Sequence, residues 1–534
     1  MKHWIKNILG SRKQTLSVTW RTDNSIFNFL SSNIDSNGKL KDTAQDLPDE
    51  IKDEEKMRWA PGLKDTMGGV EDSPDSKNRI NELTKHLKKI AKEGNEASKQ
   101  EFYRLIENEN VVGIIDEFLQ TIINNPLSVE PFLFSFAKDL TTKTSKRNAV
   151  KIGIAILGLC QNKSVLEELK ILGLHDEFTV YSVIAIMNLS ENPASDLWEL
   201  AKKVDGWGKI QLIDRLVANE LNQQIKDWLI LDGYKNCIMY EYLAFTCAVN
   251  GQLHEKLESK QINKQLFKAS ADIISALIAG GPAEDITAYV YASSVVENFI
   301  RHAKQHTSDI SDFVTLNRIK DFLSELQNKT EEQKQNGWTL NIISNCILEI
   351  VEILDSHDWT VKTYEGLKSK DNVTYWNAKQ TAIKLGIDLW ETIWIKLQEN
   401  PLDYSSWYDV TQYGKSEHVE SIINFALENL PLDEMAIGAK DSLGLGSNYS
   451  KFMCLDTIIT YLEDYPRKGE KIIFTGLKSP VTRNRNMAIK VLDKWGRVNW
   501  SAEIEKGIQH LKENEPNKDT KENIERLLNG NELK

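Results

Sequence analysis

The feature that most constrains this chain is a triplet of apolar residues at x, x+1 and x+4 that returns roughly every thirty residues. It occurs at Ala155/Ile156/Leu159, Ala185/Ile186/Leu189, Leu212/Ile213/Leu216, Met239/Tyr240/Leu243 and Ile273/Ile274/Leu277, in steps of 30, 27, 27 and 34 residues. It resumes at Ile422/Ile423/Ala426, Ile458/Ile459/Leu462 and Ala488/Ile489/Leu492, in steps of 36 and 30. One triplet is merely the inner stripe of any amphipathic helix, so the spacing carries the argument. The first two units also share wording, Ile154-Ala155-Ile156-Leu157-Gly158-Leu159 against Ile184-Ala185-Ile186-Met187-Asn188-Leu189. Such a period, with two short helices per unit, predicts an all-α, HEAT/armadillo-like α-solenoid of stacked helix pairs. The register is lost between Tyr289 and Leu340.

The helix breakers fit that reading. Gly280-Gly281-Pro282-Ala283-Glu284-Asp285 predicts a glycine stop, then a proline at a helix start with acids in its first turn. Asn400-Pro401, Leu430-Pro431 and Glu515-Pro516 punctuate similarly. Residues 1–75 differ: Asn33 to Glu55 is polar and acidic, without a sustained helical period, and reads as an irregular, partly flexible arm. The arm ends in a Trp/Gly loop at 57–69. The expected organisation is therefore this arm, helical repeats over 76–300, repeats of uncertain register over 301–372, and HEAT-like repeats over 373–534.

Ser479-Pro480-Val481-Thr482-Arg483-Asn484-Arg485-Asn486-Met487-Ala488, followed by Leu492, resembles the second helix of a HEAT repeat. There the proline opens the turn, valine and alanine face the core, and arginine stands at the exposed start. From about Asn148 to Pro516 the chain also resembles a group of bacterial HEAT-like proteins of poorly defined function, some labelled limonene hydroxylase. The resemblance rests on Val150-Lys151, Gly206-Trp207-Gly208, Met239-Tyr240-Glu241-Tyr242, Gly280-Gly281-Pro282, Leu385-Gly386-Ile387-Asp388 and Ser479 to Ala488. It implies the helical-repeat fold and, through the label, an activity on a small apolar substrate. In that group the loop continues into a glycine and paired histidines; here Asp65-Thr66-Met67-Gly68-Gly69 has none, so no histidine role carries over.

Composition bounds the function. The longest strongly apolar run, Ile152 to Cys160, is about half of what a membrane-spanning helix needs, and Met1 to Gly10 lacks a secretory pattern. A cytoplasmic protein that does not enter the membrane is expected. Five scattered cysteines, none spaced CxxC, predict neither a disulfide framework nor a zinc site. A net charge of −12 argues against nucleic acid as a partner.

Few constellations suggest chemistry. His302 and His306 share a helix face, but Ala303 stands where a hydrolytic zinc site wants glutamate. Gly68-Gly69 and Gly444-Leu445-Gly446 lack the ending of a phosphate loop and read as turns. Asp176-Glu177, Glu284-Asp285 and Asp53-Glu54-Glu55 read as helix caps or solvated faces. No haem-ligand context, dinucleotide fingerprint or facial-triad motif is present, so no cofactor is expected.

Two features point to binding. From Arg467 to Arg497 nine Lys or Arg stand against Glu470 and Asp493, a sign reversal in an acidic chain. Arg483 and Arg485 are its candidates for partner contact, with ion pairing to a neighbouring repeat as the alternative. Trp390 and Trp394, four apart, are the indole candidates for a groove, and Trp59, Pro61, Gly62 and Asp65 form a candidate clasp across the solenoid or a cap on its first repeat. The expectation is a non-enzymatic scaffold that binds a protein or peptide on its concave face. The alternatives are an enzyme for a small apolar substrate and a HEAT-like nucleic-acid binder.

Overall fold

The computed structural model describes residues 20–50, 59–67, 76–108, 111–124, 131–329 and 336–533. Over them the chain is all-α, its helices packed in neighbouring pairs and with no strand among the described residues. None of these helices is long and apolar enough to cross a membrane. Many helices start at an asparagine or aspartate whose side chain accepts an N–H of the first turn: Asn192, Asn222, Asn263, Asp371, Asp403 and Asn517 all do so. Each cap satisfies a donor that the helix itself cannot.

The described residues fall into two compact units: one up to 307 and from 317 to 353, the other 308–316 and from 354 onward. In the first, Phe132–Thr142 packs on Arg147–Leu159, which packs on Asp176–Leu189, which packs on Gly206–Leu216. The triplets at 185, 212 and 273 are buried, as is Ile156 of the first. The triplet at 239 is not an inner helical stripe. Met239 and Tyr240 lie at and just before a 3-10 turn and are exposed, and the buried helix of that unit is Ala244–Asn250, with Cys247 and Ala248 inward. The same apolar spacing here serves a turn, and of the triplet only Leu243 is buried.

Gly280 does stop the Lys264–Ala279 helix, at φ +68°. Pro282 opens no helix, since the next one is Ala292–His306 and the intervening residues form turns. In place of an acidic first turn, Asp285 accepts the N–H and hydroxyl of Thr287.

The described part of the arm is pinned. Trp20 stacks on Tyr103 at 5.6 Å and meets Phe136 edge-on at 5.7 Å. The Ile26–Ser32 helix, which precedes the polar stretch at Asn33 to Glu55, buries Ile26 and Leu30. The N–H groups of Thr22 and Ile26 donate to the carbonyls of Lys143 and Thr144. These long-range bonds tie the start of this helix to the turn after Phe132–Thr142.

In the second unit, Tyr404–Tyr413 packs on Ser450–Tyr461, which packs on Thr482–Trp495, which packs on Lys518–Leu528. Trp407, Ile422, Ile458, Ile459, Ala488, Leu492 and Ile508 form its core. The breakers act as predicted: helices end at Glu399, Asn429 and Asn514, just before Asn400-Pro401, Leu430-Pro431 and Glu515-Pro516.

Seven of the side-chain ties, spread over both units, have nearly the same length. Arg147–Glu177, Lys163–Glu191, Asp227–Lys256, Lys379–Asp409, Asp388–Lys415, Asp456–Arg483 and Arg485–Glu515 each join residues 27 to 30 apart. Each links one helix pair, or its flanking turn, to the next.

Candidate functional site

The densest polar construction in the first unit lies where the loop after Trp59 meets the helix row. Lys151 sits in the middle of the apolar Arg147–Leu159 helix with its side chain only 6% exposed. Its ammonium donates to Asp65 at 2.7 Å and pairs with Glu177 at 2.7 Å. The Tyr181 hydroxyl donates to the other oxygen of Asp65 at 2.6 Å. One turn earlier, Arg147 binds Asp49 at 3.0 Å, Glu177 at 3.4 Å and also Glu50. Burial opposes the charge on Glu177, yet Lys151 and Arg147 hold its carboxyl below the usual range. Burial and then the Asp65 carboxylate push the Tyr181 phenol up, so it remains a proton donor to Asp65.

Behind this cluster lies Asp176, whose carboxylate accepts the N–H of Gly208 at 3.0 Å. A Cβ on Gly206 would lie 2.5 Å from Asp176 Oδ2, and one on Gly208 would lie 2.6 Å from Oδ1. Gly62, at φ +73°, brings the loop so close that its Cβ would meet the Asp176 carbonyl oxygen at 2.6 Å. Gly206-Trp207-Gly208 thus admits an enclosed carboxylate to a helix N-terminus, where the backbone dipoles favour it. Burial nevertheless pushes Asp176 up to about 7 against the pull of Gly208 and Trp207.

His175 latches the arm. Its Nδ1 accepts the N–H of Glu177 at 3.2 Å, and its Nε2 lies 3.1 Å from the Gln45 carbonyl, to which it must donate. This fixes the neutral Nε2–H tautomer, because a proton on Nδ1 would face the Glu177 N–H. Burial accordingly pulls the imidazole down to about 4. Below about pH 6.5 the unfolded chain takes up a proton that the folded chain refuses, so stability present at neutral pH is lost as pH falls toward 4. The expected loss is about 3 kcal/mol. His175→Gln should flatten the urea-midpoint profile between pH 7 and pH 4.5; an unchanged slope would assign the acid sensitivity elsewhere.

The loop residues have divided roles. Asp65 and Gly62 face inward, whereas Trp59 is 51% exposed with the Lys64 ammonium 5.9 Å from its ring. Pro61 is half-buried between them. The short Leu63–Met67 helix packs on Asp176–Leu189 and Gly206–Leu216. Met57, Arg58, Gly68, Gly69 and the Asp53-Glu54-Glu55 cluster lie outside the described residues.

In the second unit Trp390 and Trp394 do stack, at 5.0 Å. Both are half-buried: His418 covers Trp390 at 3.5 Å and Phe425 abuts Trp394 at 5.2 Å, which makes them packing elements. Arg483 binds Asp456 at 2.5 Å and is partly exposed. Arg485 is not at an exposed helix start. It is fully enclosed, donating to both oxygens of Glu515 at 2.7 Å and to the carbonyls of Ser479 and Pro480. It therefore has no surface to offer a partner. Much of the remaining basic segment is also neutralised: Lys468 pairs with Glu420, Lys471 with Asp433, Lys494 with Glu463 and Asp464, and Arg497 with Glu505. These acids come mostly from outside the segment, which a local charge count does not register.

His302 lies 3.0 Å from the Leu257 carbonyl and His306 stacks on Phe267 at 5.4 Å, so both imidazoles belong to packing. Gly444 and Gly446 lie in a loop at positive φ. Among the described residues no three His, Cys, Asp or Glu gather as a metal-ligand set.

Sequence inspection missed Lys151, Tyr181 and His175; Asp176-Glu177 does stand at a helix start, as expected, but both side chains turn inward and are not a solvated face. The usable signal was a lysine inside an unbroken apolar helix, which is stable only if a carboxylate reaches it. No family model, curated protein or solved structure matches this chain.

Proposed function

We propose that the chain is a cytoplasmic HEAT-like α-solenoid, akin to the bacterial proteins it resembles, that serves as a non-enzymatic scaffold for a protein or peptide partner. The recurrence of inter-helix ties 27 to 30 residues long supports the solenoid reading, because stacked repeats place equivalent residues side by side.

The observation that carries partner binding is a run of outward apolar residues on four consecutive helices of the second unit. Val361 and Tyr364 lie on Thr360–Leu367, Val373, Trp376 and Ile383 on Asn372–Leu385, Ile395 on Trp390–Glu399, and Tyr404 and Tyr408 on Tyr404–Tyr413. All are exposed, Val373 by 68%. On Asn372–Leu385 the three share a face opposite the buried Tyr375, Ala378 and Ala382, so that helix is apolar on both sides. An apolar face held in water is the signature of a surface that another chain covers.

A photo-crosslinking amino acid placed at Trp376 or Tyr408 in cells is expected to capture the same partner. Val373→Asp should abolish the adduct while leaving the thermal midpoint unchanged. Adducts that match those from a control position at Ile184, or that survive Val373→Asp, would count against this surface.

A further inference from the structure

In the first unit a cavity of about 740 Å3 opens between the arm around Lys39 to Gln45 and the segments carrying Asp176, Lys203, Lys209 and Tyr240. That volume is in the range of small-molecule sites. Its walls carry five lysines against four aspartates, and bonds within the wall fix most of these groups without removing the carboxylates' charge. Asp205 accepts the N–H groups of Gly206 and Cys237, both at 2.9 Å, and Asp176 accepts that of Gly208. Asp232 pairs with Lys235 at 2.7 Å and Lys202 with Glu199 at 2.6 Å.

Three of the ammonium groups make no direct ion pair. Lys39, Lys203 and Lys209 line the cavity with no carboxylate among the described residues at ion-pair distance, against Asp42 as the one lining acid similarly uncommitted. They come from three separate segments: the arm, the turn after the Pro193–Ala201 helix, and the Gly206–Leu216 helix. Lys209 is the most telling, being 7% exposed. Its ammonium donates to the carbonyls of Lys235 at 2.5 Å and Asp232 at 3.4 Å, partners that carry no full negative charge. A cation enclosed on those terms is destabilised by desolvation, and burial pulls its pKa down accordingly. Asp205 and Asp232 favour the ammonium without touching it as ion pairs, and an anion entering the cavity would supply a direct counter-charge. The neighbouring wall includes the Trp228 ring, 5.8 Å from the Lys209 ammonium, and Tyr240. Cys237 also lines it, but burial and the Asp205 and Asp176 carboxylates push its thiol up, which disfavours the nucleophilic thiolate.

We propose that this cavity binds a small molecule bearing a compact multivalent anion, a phosphate ester or polycarboxylate, whose charge is met by Lys39, Lys203 and Lys209 and whose remainder lies against Trp228 and Tyr240. The site is separate from the apolar faces of the second unit, so either assignment stands without the other.

Calorimetric titration of the full chain with pyrophosphate and, separately, citrate tests it and distinguishes the two sources. At least one anion is expected to bind, with affinity falling as salt is added. A Lys39→Gln/Lys203→Gln variant should bind roughly tenfold or more weakly, the effect of removing charge-assisted hydrogen bonds. A Lys368→Gln/Lys370→Gln control should bind as wild type does. Both lysines of the test variant lie at the edge of the cavity, so its ligand-free thermal midpoint should be unchanged, and Lys209→Met provides a second variant from inside. No heat with either anion at about 10 mM, beyond the weakest specific binding considered, overturns the proposal. So does binding that the double variant leaves intact.

Discussion

Replacing Glu515 by alanine is expected to destabilise the second unit by about 3–5 kcal/mol, the penalty for leaving one partner of a buried ion pair uncompensated. Both side chains are completely enclosed, and the guanidinium meets both carboxylate oxygens at 2.7 Å, a bidentate geometry. Glu515→Ala would leave Arg485 with two carbonyls and the Thr482 hydroxyl, none of them charged, in a dry site. Denaturant midpoints followed by tryptophan fluorescence would measure the loss. A double Arg485→Met/Glu515→Met variant should recover most of it, because an apolar pair of similar volume carries no desolvation penalty. If Glu515→Ala costs less than about 1 kcal/mol, the value for an exposed pair, the enclosure described here is not maintained in solution.

The second large effect is expected at Lys151. Lys151→Met keeps the length of the side chain but removes the only ammonium between Asp65 and Glu177, whose side chains are 3% and 13% exposed. Two enclosed carboxylates would then face each other with Arg147 reaching only Glu177, at an expected loss of about 3–5 kcal/mol at neutral pH. The loss should shrink as pH falls, since protonating an orphaned carboxylate removes the buried charge. Because Asp65 is the loop's ionic anchor, proteolytic nicking between Trp59 and Met67 should rise in parallel. A destabilised variant whose loop stays as protected as wild type would separate the loop from the cluster.

These two lysine and arginine sites also show what the sequence could disclose. Leu212, Ile213 and Leu216 were legible as an inner stripe because helical geometry alone places them on one face. Met239, Tyr240 and Leu243 have the same spacing in a 3-10 turn, and nothing local distinguishes the cases. Arg485 stands four residues into its helix, where an outward arginine is the ordinary expectation; its burial depends on Glu515, thirty residues on. Both arginines instead pair with a neighbouring element, through the bonds to Asp456 and Glu515. The arm was the least legible part. Its order comes from Arg147, His175 and Lys143, about a hundred residues away, and composition carries no record of such contacts.

The lengths of the ties bear on how the chain reaches this structure. A tie that spans 27 to 30 residues closes a loop whose entropy is independent of the remaining five hundred residues, so the helix rows can assemble locally, at rates set by neighbours. The arm's bonds span 98 residues for Asp49–Arg147, 86 for Asp65–Lys151 and 130 for Gln45–His175. Their partners must already be in place before these bonds gain anything. Although the arm precedes the helix rows in the chain, it is the segment that must wait, and its docking reports that the first unit has finished folding.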